Sequence, residues 1–190
     1  MGKGTERNES LEWVKATLIA FICVWGIRFF LFTPKKVEGA SMMPTFEDGD
    51  RVIVNKIGPR LTAYERFDVI VFKVTEEKNY IKRIIGFPGD QITYEDDVLY
   101  INGQKYDEPY LEQYKAALKD HGTLTEDFTI EKYLGEKVVP EGYLFVLGDN
   151  RRKSIDSRDP HLGFVSMEKV LGTADIKFWP INHMEFINKQ

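Results

Sequence analysis

The sequence predicts a mostly β protein: one N-terminal transmembrane helix, then a barrel-like sheet with a small insertion. Three observations predict it. Ala16 to Phe32 (ATLIAFICVWGIRFFLF) is an apolar block broken only by Arg28. After Pro34 the helical pattern gives way to short runs of alternating polarity. Asn102-Gly103 sits between two such runs, and a type I′ hairpin needs positive φ at both central residues. With 43% apolar and 29% charged residues, a folded core is expected.

A helix crossing about 30 Å of hydrocarbon needs about 20 residues, so the block spans only with help from its flanks. Trp13 and Val14 lengthen it, giving an anchor over residues 13–33. Arg28 lies one turn inside the end, within snorkelling reach of the interface. A cut after Ala40 would put Glu38 at the third position before it, a poor signal-peptide site, so an uncleaved anchor is expected. A buried soluble helix is the plainer alternative, but no amphipathic stripe runs through residues 16–27. Lys3, Arg7 and Lys15 on one flank balance Arg28, Lys35 and Lys36 on the other, so charge leaves the orientation open. Cys23 inside the block reads as a small hydrophobe.

Strands are expected at Arg51 to Lys56, Phe67 to Val74, Tyr80 to Ile85, Gln91 to Glu95, Val98 to Ile101, Gln104 to Tyr106, Tyr143 to Leu147 and Thr173 to Trp179. Tyr110 to Lys119 reads as a short helix with Leu111, Tyr114 and Leu118 on one face. Residues 110–137 have the weakest strand pattern, and an insertion over about 103–137 is expected. Sheet edges then need closure or a cover.

The net charge of −4 argues against a nucleic-acid partner. A single cysteine excludes an internal disulfide. His121, His161 and His183 are dispersed, and metal-ligand spacings are absent, so neither a metal nor a cofactor is expected.

Ser41 follows Gly39-Ala40 and precedes Met42-Met43-Pro44-Thr45. Small residues before it leave room for another backbone, and Pro44 steers Met43 from helical geometry. Only nine residues separate Ser41 from Phe32, so it stands within about 30 Å of the anchor's end. No histidine is well placed as its base, and His161 reads as a surface residue beside Asp159 and Pro160. A lysine base is the alternative. Alternation puts Tyr80, Lys82 and Ile84 on one strand face, where desolvation would lower the Lys82 pKa. Alternation alone equally suits a lysine snorkelling from a strand edge. Gly148 to Arg158 (GDNRRKSIDSR) is either a solvated loop or a hydrogen-bonded scaffold that sets a hydroxyl beside the lysine.

These segments together resemble type I signal peptidase. Ser41-Met42-x-Pro44-Thr45 is similar to its nucleophile motif, and Arg66-Phe67-Asp68-Val69-Ile70-Val71-Phe72 to the following strand. Lys82-Arg83-Ile84-Ile85-Gly86-x-Pro88-Gly89-Asp90 is similar to the lysine motif. Gly148-Asp149-Asn150-Arg151-x-x-Ser154-x-Asp156-Ser157-Arg158 resembles the last box. The order is the family's, and the length resembles the compact Gram-positive form.

The resemblance implies a Ser41 nucleophile and a neutral Lys82 base, with Ser154 orienting the lysine amine. Asp149, Arg83, Asp156 and Arg158 would support them, and the Ser41 N–H would serve the oxyanion. Some relatives carry a serine two positions before the nucleophile, where this chain has Gly39. Substrates would be signal-peptide-bearing precursors cut after small residues, bound as an added strand near Gly39, Met42, Tyr80 and Ile84. The resemblance also implies residues 1–12 as a cytoplasmic tail, residues 13–33 as a plasma-membrane anchor in contact with lipid, and residues 34–190 as an extracytoplasmic domain, monomeric in the membrane. Two rival readings are a catalytically silent, membrane-tethered binding homologue, which would typically lack the serine or the lysine, and a self-cleaving repressor, which would need a DNA-binding segment.

Overall fold

The computed structural model describes residues 9–30, 32–58, 63–119 and 122–187. Lys3, Arg7, His121 and the Arg28 side chain lie outside the described residues. Glu9–Phe30 form a single helix, α1. Trp13, Val14, Leu18, Ile19, Phe21, Ile22, Val24 and Trp25 on it are all exposed. Among the described residues no helix is long and apolar enough to cross a membrane. The far boundary expected for the anchor shifts: Phe32–Lys36 is strand β1, antiparallel to β2 (Arg51–Asn55). Pro34 fits there because β1 is an edge strand with one side free of ladder bonds.

The main sheet continues through β3 (Val69–Lys73), β4 (Asn79–Gly86), β9 (Tyr143–Leu147), β10 (Val165–Ser166) and β11 (Val170–Trp179). Its order is β1-β2-β11-β3-β4-β9-β10, and a short β12 (Glu185–Phe186) also pairs with β11. Every pairing is antiparallel, and register shifts interrupt the β11 ladders with β2 and β3 and the β4–β9 ladder. Such bulges bend a strand and increase its twist. β11 serves both halves of the sheet, pairing with β2 along Thr173 to Trp179 and with β3 along Val170 to Thr173.

A second sheet, β7-β6-β5-β8, is built from β5 (Ile92–Glu95), β6 (Val98–Ile101), β7 (Gln104–Tyr106) and β8 (Phe128–Thr129). The Asn102-Gly103 turn has φ of 53° and 77°, as a type I′ hairpin requires. Asp96 and Asp97 also have positive φ, at 50° and 62°, and form the β5–β6 turn. The segment expected as an insertion from residue 103 therefore belongs to a unit that begins at Ile92. Two short helices, Glu112–Ala116 and Ile130–Leu134, complete it, the first shorter than the expected Tyr110 to Lys119.

The apolar core has three parts. Ile92, Tyr94, Leu99, Ile101 and Phe128 of the small sheet pack on Ile85, Phe145 and Leu147 of β4 and β9. Val52, Val54, Val69 and Val71 enclose Met42 and Phe46. Ile70, Phe72, Ile84, Leu144 and Val146 fill the third. The first part fuses the two sheets into one body, and the second anchors the segment that carries Ser41.

Candidate active site

Ser41 lies in a loop tied at its base and plugged from beneath. The Val37 N–H donates to the Asp50 carbonyl at 2.7 Å, and the Gly49 N–H to the Val37 carbonyl at 3.0 Å. The Gly39 N–H donates to Asp48 Oδ1 at 2.8 Å, and its φ of +89° is open to glycine without strain. Met42 and Phe46, both fully buried, fix the loop to the core. On its far side the Ser41 carbonyl accepts from the Asn150 N–H at 3.0 Å, and the Ala40 carbonyl from Asn150 Nδ2 at 3.0 Å. The Ser41 side chain is thereby presented to the base of an open groove.

Lys82 extends from β4, opposite Ile70 of β3, and is 2% exposed. Its Nζ donates to Ser41 Oγ at 2.8 Å and to the Ile81 carbonyl at 3.0 Å. Burial lowers its pKa from 10.5 to about 8, although the Asp156 and Asp149 charges pull the other way. A substantial fraction of the amine is then neutral at mildly alkaline pH, as a proton acceptor must be.

The supporting residues form a buried network. The Arg83 guanidinium donates Nε to Asp149 Oδ1 at 2.9 Å and Nη2 to Asp149 Oδ2 at 2.6 Å, a bidentate pair with no exposure on either side chain. Arg83 Nη1 also donates to the Phe67 carbonyl at 2.9 Å, and the Thr45 hydroxyl donates to Asp149 Oδ2 at 2.5 Å. Asp156 accepts from the Gly148 N–H at 3.0 Å and from both Nε and Nη2 of Arg158 at 2.9 Å. Ser154 behaves differently from the expectation. Its Oγ is buried and has no hydrogen-bond partner among the described residues, while the lysine amine donates to the Ile81 carbonyl. Gly148 allows this packing: a Cβ there would overlap the Ser154 side chain and the Ser41 carbonyl.

The groove measures about 450 Å³ and is lined by Ser41, Lys82, Val52, Val71, Tyr80 and Ile81, with Gly39 and Ala40 at one rim and Lys153 and Ile155 at the other. Two expectations are corrected here. Met42 and Ile84 are completely buried in core clusters and do not line the groove. Met42 points down because the loop needs an apolar plug. The apolar wall is supplied by Val52, Val71 and Ile81, and Tyr80 and Gly39 remain on it. His161 is exposed and pairs only with Asp159, at 2.9 Å, so it takes no part.

Several residues of this framework were not singled out by sequence. Asn150 and Arg151 stood inside the last motif without a role of their own. Arg151 is buried and donates Nη2 to Glu108 Oε1 at 2.6 Å and Nε to the Gly148 carbonyl at 3.1 Å. Glu108, Tyr110 and Tyr114 lie in the stretch read as an insertion; helical spacing puts Tyr114 on one face with Leu111 and Leu118, but nothing directs any of the three toward the site. Thr45 was quoted in the nucleophile motif, but nothing in sequence pointed its hydroxyl at Asp149.

A family model described as signal peptidase, peptidase S26, matches residues 10–179. Signal peptidase I of Bacillus caldolyticus is 48% identical over 168 residues, covering 88% of this chain and 91% of that protein. Signal peptidase I of Bacillus licheniformis is 44% identical over 186 residues, 96% of each chain. Among solved structures, a signal peptidase I from Enterococcus faecalis V583 superposes with a TM-score of 0.54 at 41% identity, covering 59% of this chain and 97% of that one. The chain belongs to the type I signal peptidases, serine peptidases of the S26 family.

Proposed function

We propose that this protein removes signal peptides from precursors at the outer face of the plasma membrane, with Ser41 as nucleophile and Lys82 as general base. The observation that carries the reading is the 2.8 Å contact between Ser41 Oγ and a buried lysine amine, at the floor of an open groove. With the amine neutral, the donor role in that contact reverses. The Oγ proton passes to Nζ as the Oγ–carbonyl bond forms. The resulting ammonium protonates the departing amine when the peptide C–N bond breaks. Lys82 Nζ, neutral again, takes a proton from water as the water attacks the Ser41 ester, and returns it to Ser41 Oγ as the acyl C–O bond breaks and the acid departs. The Ser41 N–H donates to no group among the described residues, so it is free to bind the oxyanion. Gly39 offers no side-chain donor to that site.

Two features support an extended substrate. Asn79 to Lys82 pair with β3 on one side only, because β9 joins β4 from Arg83 onward. Lys36 to Ala40 stand across the groove. A strand laid between them would gain main-chain hydrogen bonds, with its side chains against a wall of valine and isoleucine. The all-round exposure of apolar residues on α1 supports a membrane anchor, and the family resemblance supports a cytoplasmic N-terminus and a monomer in the bilayer. Retention of both Ser41 and Lys82 disfavours a silent binding homologue. The test is cleavage of a purified precursor by Ser41→Ala and Lys82→Ala chains in detergent micelles. Either variant cutting at the unmodified rate overturns the assignment.

A further inference from the structure

The unit built on the small sheet reaches the active site through five side chains. Glu108, with Tyr94 and Thr125, encloses the Arg151 guanidinium, which holds the Gly148 carbonyl. The Tyr110 hydroxyl donates to Glu108 Oε1 at 2.6 Å, and the Arg83 guanidinium lies over the Tyr110 ring, 3.9 Å from its centre. The Tyr114 hydroxyl donates to Asn150 Oδ1 at 3.1 Å, on the residue that bonds the Ser41 and Ala40 carbonyls.

We propose that Tyr110 is a positioning residue of the peptidase reaction: its ring, fixed by Glu108, holds Arg83 against Asp149 and so sets the electrostatics around Lys82. The proposal rests on the Ser41–Lys82 reading but has a readout independent of it. Asp149 and Asp156 are the acids that act on the Lys82 amine, and each is paired with an arginine, Arg83 or Arg158. On its own strand the amine lies 5.2 Å from the Tyr80 ring. The remaining nearby charges, Lys35, Lys36, Glu38, Glu77, Lys78 and Lys153, line the solvent-open groove and are the same in every variant. Removing the ring loosens Arg83, leaves Asp149 less neutralised and admits water. Both effects favour the ammonium, so the lysine titrates at higher pH.

The experiment compares full-length Tyr110→Leu and Tyr110→Phe in micelles. Lys82 is titrated by NMR of 13Cε-labelled lysine, and the pH profile of precursor cleavage is recorded. Tyr110→Leu is expected to lower kcat about tenfold with little change in KM, as loss of one strong cation–π contact implies. The ascending limb of its pH profile and its NMR titration should both move up by about half a pH unit or more, an energetic change within that same contact. Tyr110→Phe keeps the ring and should stay within about threefold of the parent, the scale of one neutral hydrogen bond. An unmoved Lys82 titration in Tyr110→Leu overturns the proposal, as does an equal shift in Tyr110→Phe. If the NMR titration shifts while the parent chain cuts no precursor, the positioning role stands and the assigned function fails.

Discussion

Lys82 shows how much one burial decides. Moving its amine from 10.5 to about 8 costs the protonated native state roughly 3 kcal/mol. Between those two values the folded chain binds fewer protons than the unfolded chain, so stability rises with pH through that window and is lost as pH falls through it. Lys82→Met removes the amine while keeping an unbranched side chain. It should therefore be more stable than the parent at pH 7, by up to about 3 kcal/mol, with the gap narrowing toward pH 10. Urea unfolding in micelles at pH 7, 8, 9 and 10 measures this, and a pH-independent gap would contradict burial as the cause. The same titration governs rate: kcat/KM for a precursor should climb with pH and level off above about 8. A profile flat from pH 6 to 9 would rule out a lysine base. Gly148 is a steric counterpart. Gly148→Ala pushes a methyl into Ser154 and the Ser41 carbonyl, at an overpacking cost of about 1–3 kcal/mol. It should cut activity more than stability, because the displaced carbonyl belongs to the nucleophile. Adding Ser154→Gly should restore part of the stability but not the rate, as unfolding and peptide assays on the double variant would show.

At the level of elements, alternation and turn chemistry located most of the scaffold. β2, β3, β4, β6 and β9 are legible because each buries one face or both, and β7 because the Asn102-Gly103 turn folds it back on β6. β8, β10 and β12 have two residues each, too few for any period, and exist only because a neighbour offers ladder bonds. β1 shares only Phe32 with the apolar run, whose hydrophobicity says nothing about where the helix must stop, and Thr33 to Lys36 carry no alternation of their own. At the site, motif order identified Ser41 and Lys82, whereas periodicity alone put Ile84 on the lysine's face and could not show that this face closes into core. Glu108 and Tyr110 were invisible, since Arg151, a partner of both, lies 43 and 41 residues away and buried contacts leave no local trace. The Asn102-Gly103 turn gives a clean test of what local chemistry contributes. Gly103 has φ of +77° and open space around it, so Gly103→Ala meets no clash and pays only for a left-handed backbone. The expected loss is about 1 kcal/mol in urea unfolding, with precursor cleavage unchanged. A drop in kcat would mean that this hairpin, too, transmits to the active site.

For the molecule as a whole, Ser41, Lys82 and the network around them lie between β1 and β12, while α1 leads into the first strand with its apolar side chains uncovered. Nine large apolar residues on that helix are more than half exposed, from 51% at Leu11 to 75% at Trp13. Burying side chains of this size in lipid is worth about 1.5–3 kcal/mol each, enough to outweigh the exposed Glu12–Lys15 pair at the helix start. The full chain should float with phospholipid vesicles, and a chain shortened to begin at Phe32 should remain in the aqueous fraction. The two chains should cut a short soluble peptide at rates within about threefold, since the dyad and its clamp are intact in both. They should diverge on a vesicle-embedded precursor. Confining enzyme and substrate to one surface raises their effective concentration, and advantages of about 100-fold arise from co-localisation without any new contact. Equal rates on the embedded precursor would show that α1 contributes nothing to substrate encounter. A collapse of peptide cleavage on truncation would show that the helix supports the fold of the β domain.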